Sequence, residues 1–207
     1  MTAGKFIVFE GIDGSGKTTQ MKLLALSLER CGVPVLCTRE PGGTGIGGRL
    51  RALLLDPACR DITPRTEAFL YAADRAQHVT EKILPALSRG DTVLCDRFIY
   101  STLAYQGGGR GLDMEFLTRL NELAVRGLEP DAVILLDLPV EESMRRVAGD
   151  RPPDRLEAEK NDFFRRVRRG YLEQAAGQPR LFKVIRAGAA VEEVHRSVLE
   201  SLKQVLT

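Results

Sequence analysis

An α/β fold, with a five-stranded parallel sheet and helices on both faces, is what this sequence predicts, and three observations carry that expectation. Five short apolar runs rich in branched and aromatic residues recur along the chain. Segments of helical periodicity separate most of them. The first run passes straight into the glycine-rich stretch "GIDGSGKTT". Strands alternating with helices force the connections over the sheet faces and make the strands parallel.

The first strand is read in "KFIVFE", Lys5 to Glu10, and the helix after the glycine loop in "TTQMKLLALSLER", where Met21, Leu24, Ala25 and Leu28 repeat at helical spacing. "VPVLCTRE" is the second strand and "IGGRLRALLLD" the helix behind it. One long helical segment is expected in "TPRTEAFLYAADRAQHVTEKILPALSRG", opened by Thr63 ahead of Pro64 and closed by Gly90. "DTVLCDRF" is the third strand; Asp113 opens a helix in "LDMEFLTRLNELAVRG" that Gly127 closes. "DAVILLDLP" is the fourth strand, followed by helical "PVEESMRRVAG" and "LEAEKNDFFRRVRRGYLEQAAG". "LFKVIRA" is the fifth strand, and "AVEEVHRSVLESLKQVL" the last helix.

Length and composition bound the function classes. A chain of 207 residues without a Pro/Gly/Ser-rich linker is expected to form one domain, 1–207. With 43% apolar and 28% charged residues and a net charge of +2, the chain reads as an ordinary soluble globular protein, with no bulk field for nucleic acid or membrane surfaces. Neither a signal-peptide pattern nor a membrane-length apolar run is present. Cys31, Cys37, Cys59 and Cys95 lack metal-ligand spacing, and Cys37 and Cys95, inside strand-like runs, read as buried thiols. A reducing, cytoplasmic setting is expected.

The glycine stretch matches G-x-x-x-x-G-K-[ST] from Gly11 to Thr18, between a strand and a helix, which is the context of a phosphate-binding P-loop. Gly11, Gly14 and Gly16 let the backbone of Gly11, Ile12, Asp13, Gly14, Ser15 and Gly16 turn its N–H groups inward, at the positive end of a helix. Lys17 would meet the β- and γ-phosphates of a nucleotide, and the Thr18 hydroxyl a Mg²⁺ ion.

In open sheets of this kind ligands sit beyond the carboxyl ends of the strands. Asp96, directly after "TVLC", stands where an acid would help hold magnesium, though a strand-end cap also fits. Arg39 and Arg97 end the two strands expected beside the loop, and forked guanidiniums there would clamp a second phosphate; surface ion pairs are the plainer alternative. Two phosphate sites suit a kinase, which holds donor and acceptor in line, better than a one-nucleotide switch. A GTPase reading also lacks its "NKxD" segment.

"GIDGSGKTT", "TREPGGT", "YAADRAQH", "CDRFIYSTLAYQG" and "DRLE" occur in an order and at spacings that resemble bacterial thymidylate kinases over nearly the whole chain. That resemblance implies a P-loop NTPase fold, transfer of the γ-phosphoryl of ATP to dTMP with Mg²⁺, and a homodimer. It implies that Tyr71 stacks on thymine while Arg75 donates to a base carbonyl; many relatives carry Phe at the Tyr71 position. Phe69 competes for stacking, but its spacing to Ala72, Ala73 and Ala76 suits a core face. Asp13 is matched to the acid near the sugar 3′-hydroxyl, Arg39, Arg51 and Arg97 to acceptor contacts, and Ser101, Thr102, Tyr105 and Gln106 to the sugar and base segment. Relatives supply a catalytic arginine either from the P-loop or from a short lid, here at about 145–157; this P-loop contains none, so the resemblance implies that the lid supplies it to the transferring group, with Arg151 and Arg155 as candidates. "VIRAG", after the last strand, is where folds of this family usually meet the adenine ring, and the same is expected here.

Overall fold

The computed structural model describes residues 4–147 and 154–206. Five strands, β1 (Phe6–Glu10), β2 (Val35–Arg39), β3 (Thr92–Asp96), β4 (Ala132–Asp137) and β5 (Phe182–Arg186), pair in parallel in the order β2-β3-β1-β4-β5. β1 and β4 are wholly apolar to their penultimate residues because both faces of the central sheet are covered. Helices α1 (Lys17–Arg30) and α9 (Val191–Leu206) cover one face, where Met21, Leu24, Ala25 and Leu28 pack with Val194, Val198 and Leu202. The other face is built from β1, β3 and β4 residues with Phe98, Phe163, Phe164, Val167 and Tyr171, the last four from α8 (Asn161–Gly177).

The register places Arg39 opposite Asp96, Phe9 also opposite Asp96, and Glu10 opposite Leu135, so the charged strand ends share one edge of the sheet. The chain leaves β1 for β2, then returns to insert β3 between them, and β4 lies on the other side of β1. This makes β1 a topological switch point, where open sheets leave a crevice. One expectation needs correction here. Arg39 ends the edge strand β2, not a strand beside β1; β3 alone brings an arginine next to the P-loop strand.

The edge position also leaves Cys37 exposed, whereas Cys95 in β3 is buried as expected. The long helical segment is divided: α3 (Pro64–His78), a π-helical turn at Val79–Ile83, and α4 (Leu84–Ser88). Pro85 has no N–H to continue the α ladder, and the wider turn, with Leu84 N–H donating to the Val79 carbonyl, absorbs the defect. Thr63 caps α3 by accepting from the Thr66 N–H, as expected.

Two further helices are α2 (Gly45–Leu55) and α6 (Met114–Val125), the latter capped by Asp113 accepting from the Phe116 N–H. α5 (Ile99–Thr102) and a second π-helical segment, Leu103–Gly109, fold the stretch after β3, which carries no helical expectation. Arg110 N–H donates to the Tyr105 carbonyl across five residues. The glycines permit it: a Cβ on Gly109 would lie 2.5 Å from the Phe163 ring, so only hydrogen lets α8 approach this closely. α7 (Val140–Val147) contains Arg145 and Arg146 in its last turn. α8 begins at Asn161 rather than at Leu156, because Asp154 Oδ1 accepts from the Leu156 and Glu157 N–H groups and turns the chain there.

Candidate active site

The P-loop joins β1 to α1 through three left-handed glycines, Gly11 at φ 136°, Gly14 at 73° and Gly16 at 91°, and a Cβ on Gly11 would strike the Leu136 carbonyl at 2.6 Å. Lys17 is buried and donates to the Gly11 and Ile12 carbonyls at 2.9 and 3.1 Å. Burial, with Arg97 close by, pulls its pKa below the ordinary lysine range. Thr18 Oγ1 donates to Asp96 Oδ2 at 3.1 Å, and Asp96 Oδ1 is buried with no hydrogen-bond partner among the described residues. A carboxylate oxygen left unsatisfied beside a hydroxyl suits a hard cation completed by phosphate and water oxygens, which is how Mg²⁺ is usually held. Among the described residues there is no group of three or more His, Cys, Asp or Glu that would form an all-protein cage.

Arg97 stands between two cavities. Its backbone is left-handed, φ 72°, which is uncommon for a side chain of this size, and the turn is held by its own N–H on the Phe9 carbonyl and by Glu10. Glu10 Oε1 accepts from the Phe98 and Ser101 N–H groups; Oε2 accepts from Ser101 Oγ at 2.6 Å and the Tyr171 hydroxyl at 2.8 Å. Burial raises the Glu10 pKa, while Arg97 and these donors oppose the rise. The Arg97 guanidinium donates to Gly11 O, Ser101 Oγ, the Tyr171 hydroxyl, Asp13 Oδ1 at 2.8 Å and the Tyr105 hydroxyl at 3.2 Å. Burial alone would push the Asp13 carboxyl up, but Arg97 and Lys17 override it and leave its pKa below the usual value. Neither Glu10 nor Tyr171 is among the site residues expected from sequence; the only local trace of Glu10 is a single acid ending an apolar strand.

The first cavity is lined by P-loop residues, Thr18, Arg39, Asp96 and Arg146; the second by Tyr71, Arg75, Ser101, Thr102, Tyr105 and Gln106. Asp13, Glu40, Arg51 and Arg97 line both, so the two spaces meet at these four side chains. Arg51 is tethered to the Pro41 carbonyl at 3.1 Å. Arg75 is almost wholly buried and uses four of its five N–H groups: Nε on Glu40 Oε2 at 2.7 Å, Nη1 on Thr102 Oγ1 and Asn121 Oδ1, and Nη2 on the Phe98 carbonyl. One Nη2 hydrogen is left for a ligand. Phe69 departs from the core reading: it is 48% exposed and stacks edge-on with Phe116 at 5.8 Å. Tyr71 faces the cavity instead, and its hydroxyl has no hydrogen bond among the described residues.

The sequence candidates do not all converge. Arg155 is not brought to the P-loop: it is buried, donating to the Leu54 carbonyl at 2.7 Å and ion-paired with Glu67 at 2.5 Å. Arg151 lies outside the described residues. Among the described arginines of the lid stretch, Arg146 reaches the loop, on the Gly14 and Ala187 carbonyls at 3.4 and 3.1 Å. It borders a cleft with Thr19, Gln20, Ala187 and Val191, at the segment expected to meet adenine. Asp137, ending β4, is engaged by Arg168 through two bonds and takes no part.

The "REPGGT" loop is fixed by a buried set of charges. Glu40 accepts from Arg75 and contacts His78 Nδ1 at 2.9 Å; Asp74 Oδ1 accepts from the Gly42 N–H, and its Oδ2 has no partner among the described residues. Burial, then the neighbouring Glu40, pushes Asp74 from 3.8 to about 6. The folded chain therefore holds this proton more tightly than the unfolded chain, and stability falls as pH rises toward and through about 6. Asp74→Asn keeps an oxygen for Gly42 and removes the charge. It is expected to unfold later than the parent at pH 8, by an increment of order 1–3 kcal/mol, and the difference should shrink by pH 5. Thermal melts at the two pH values check it; an equal difference at both would overturn the assignment.

A family model described as "Thymidylate kinase" matches residues 9–198. The thymidylate kinase of Pelotomaculum thermopropionicum is 54% identical over 204 residues, covering 98% of this chain and 94% of the relative. That of a Nostoc species is 47% identical over 201 residues, covering 96% and 95%. Among solved structures, the crystal structure of thymidylate kinase from Ehrlichia chaffeensis superposes with a TM-score of 0.82 at 34% identity, covering 98% of this chain and all of that one.

Proposed function

The chain belongs to the thymidylate kinase family, whose members phosphorylate dTMP to dTDP with ATP, and from that premise we propose which of its own residues carry the transfer. The observation that supports the reading is the meeting of two cavities at Asp13, Arg51 and Arg97. ATP phosphates take the P-loop cavity, with Lys17 between the β- and γ-groups and the adenine ring in the cleft beside Arg146 and Ala187. dTMP takes the second cavity: Tyr71 against the thymine face, the free Nη2 hydrogen of Arg75 on a base carbonyl, and Tyr105 near the sugar edge, where it leaves no room for a 2′-hydroxyl. The 5′-phosphate then meets Arg39, Arg51 and Arg97.

An anionic phosphate oxygen is already a nucleophile, so the site needs no strong base; positioning and charge neutralisation carry the rate. Lys17 and Arg97 stabilise charge on the transferring group. Asp13 holds the Arg97 fork and offers its second oxygen to the sugar 3′-hydroxyl. Thr18 and Asp96 would hold Mg²⁺, which when bound supplies charge neutralisation at the β- and γ-phosphates. The lid arginine nearest the loop among the described residues is Arg146, and Arg151 stays a candidate by resemblance. Arg155 acts instead by anchoring the end of the lid on Glu67.

The test is ADP formation with ATP and Mg²⁺, comparing dTMP with dUMP, dCMP, dGMP, AMP and thymidine. dTMP is expected to be preferred and chelation of Mg²⁺ to abolish turnover. A different preferred acceptor would refute the base-pocket assignment of Tyr71 and Arg75, and turnover without divalent ions the roles of Thr18 and Asp96.

A homodimer is supported by apolar side chains left exposed on α2, α3 and α6: Ile46 at 53%, Phe69 at 48% and Leu123 at 70%. Sedimentation equilibrium giving twice the chain mass would support it, and the single-chain mass would refute it. Four free cysteines are in keeping with a reducing cytoplasm, and no helix among the described residues is long and apolar enough to cross a membrane.

A further inference from the structure

Behind the second cavity lies a buried carboxylate that phosphoryl transfer does not use. Glu67, in the first turn of α3, has no exposed surface. Its Oε1 accepts from Gln106 Nε2 at 2.8 Å and from Arg110 Nε at 3.3 Å; its Oε2 accepts from Arg110 Nη2 at 3.3 Å and pairs with Arg155 at 2.5 Å. A carboxylate held between two guanidiniums only accepts, so it demands the nitrogen end of the Gln106 amide. The oxygen end is then left over. Gln106 Oε1 has no hydrogen bond among the described residues, and Gln106 lines the cavity.

We infer that Glu67 is a positioning residue that locks the Gln106 amide with its oxygen toward the acceptor base, restricting the cavity to pyrimidines that carry an N3–H. The inference rests on the reading of this cavity as the dTMP base site. Thymine and uracil present a donor at N3 and satisfy that oxygen; cytosine presents an acceptor there and leaves two lone pairs opposed. A free glutamine would not discriminate in this way, because its amide rotates by half a turn to offer either end. The π-helical segment contributes by presenting Gln106, and Arg110 directly after its end, to the same carboxylate.

Glu67→Gln tests this, because a neutral amide accepts from or donates to Gln106 and no longer dictates its orientation. The ratio of kcat/KM for dTMP over dCMP is expected to fall at least about tenfold. The ratio for dTMP over dUMP should hold, since both bases carry N3–H. A purely structural role for Glu67 would lower all three acceptors together and leave both ratios intact, and that result would overturn the inference. The exchanged pair, Glu67→Gln with Gln106→Glu, puts the obligate acceptor on the cavity side and is expected to restore discrimination against dCMP. If Glu67→Gln alone does not fold, the exchanged pair decides, and loss of discrimination in a folded exchanged protein would overturn the inference. Gln106→Met separates the two levels. An unchanged dTMP to dCMP ratio in that variant removes the base-site reading; a fallen ratio there, with none in Glu67→Gln, removes only the role of Glu67.

Discussion

Arg97→Ala is expected to lower kcat for dTMP by at least about a thousandfold, with a smaller rise in KM. The guanidinium donates both to the P-loop, through Gly11 O, and to groups lining the second cavity, through Asp13 and Tyr105. Its removal leaves Asp13 without its ion pair and the phosphoryl group without the charge between donor and acceptor. Arg97→Lys is not expected to rescue: a single ammonium cannot reproduce a fork that reaches Ser101, Tyr171, Asp13 and Tyr105 from two nitrogens. Steady-state kinetics with both substrates varied checks this. A loss in kcat of less than about tenfold in Arg97→Ala would mean that the phosphoryl group is neutralised elsewhere and would return the role to the lid.

Glu10→Ala carries the second large effect, on stability and turnover together. Glu10 is fully buried and satisfies two backbone N–H groups, one serine hydroxyl and one tyrosine hydroxyl. Deleting the carboxylate strands these donors and removes the brace under the left-handed backbone at Arg97. A loss of about 3–5 kcal/mol in unfolding free energy is expected, with kcat falling because Arg97 is no longer held. Glu10→Gln should be milder: its oxygen still serves the Phe98 and Ser101 N–H groups, and the two hydroxyls can rotate to accept from its nitrogen. Urea unfolding and kcat measured on both variants check the pair. An Ala variant as stable as the parent, or one destabilised with unchanged kcat, would refute the brace.

Much of this site is legible in the amino-acid sequence, for identifiable reasons. The P-loop announces itself because phosphate binding needs glycines, a lysine and a hydroxyl at fixed chain positions, all within one contiguous turn. The α1 core stripe, the Thr63 and Asp113 caps and the five strands are readable because period and capping are local properties. The segment after β3 is recognisable as a motif, yet its helical and π-helical form is not. Its glycines argue against a helix locally, and only tertiary contacts explain them: α6 approaches Gly107, and α8 approaches Gly108 and Gly109.

Strand order is where local reading stops. That β3, and not β2, lies beside β1 follows from long-range pairing, to which the sequence around Arg39 is indifferent; Arg39 and Arg97 look alike as strand-end arginines, yet only Arg97 is joined to the P-loop by hydrogen bonds. Arg155 teaches the same lesson. Its place in the lid points to the phosphates, but a buried carboxylate on α3, remote in the chain, holds it away from the P-loop instead. Phe69 and Tyr71 sit two residues apart on one helix, and which ring faces the cavity is set by what packs against that helix. Residue order alone is enough for the phosphate-binding loop, the strand inventory, most of the helices and the family. Which charges meet is a matter of tertiary pairing, because Glu10, Glu40 and Glu67 act through partners brought together across as many as 161 residues, and chain separation encodes nothing about contact until the sheet has closed.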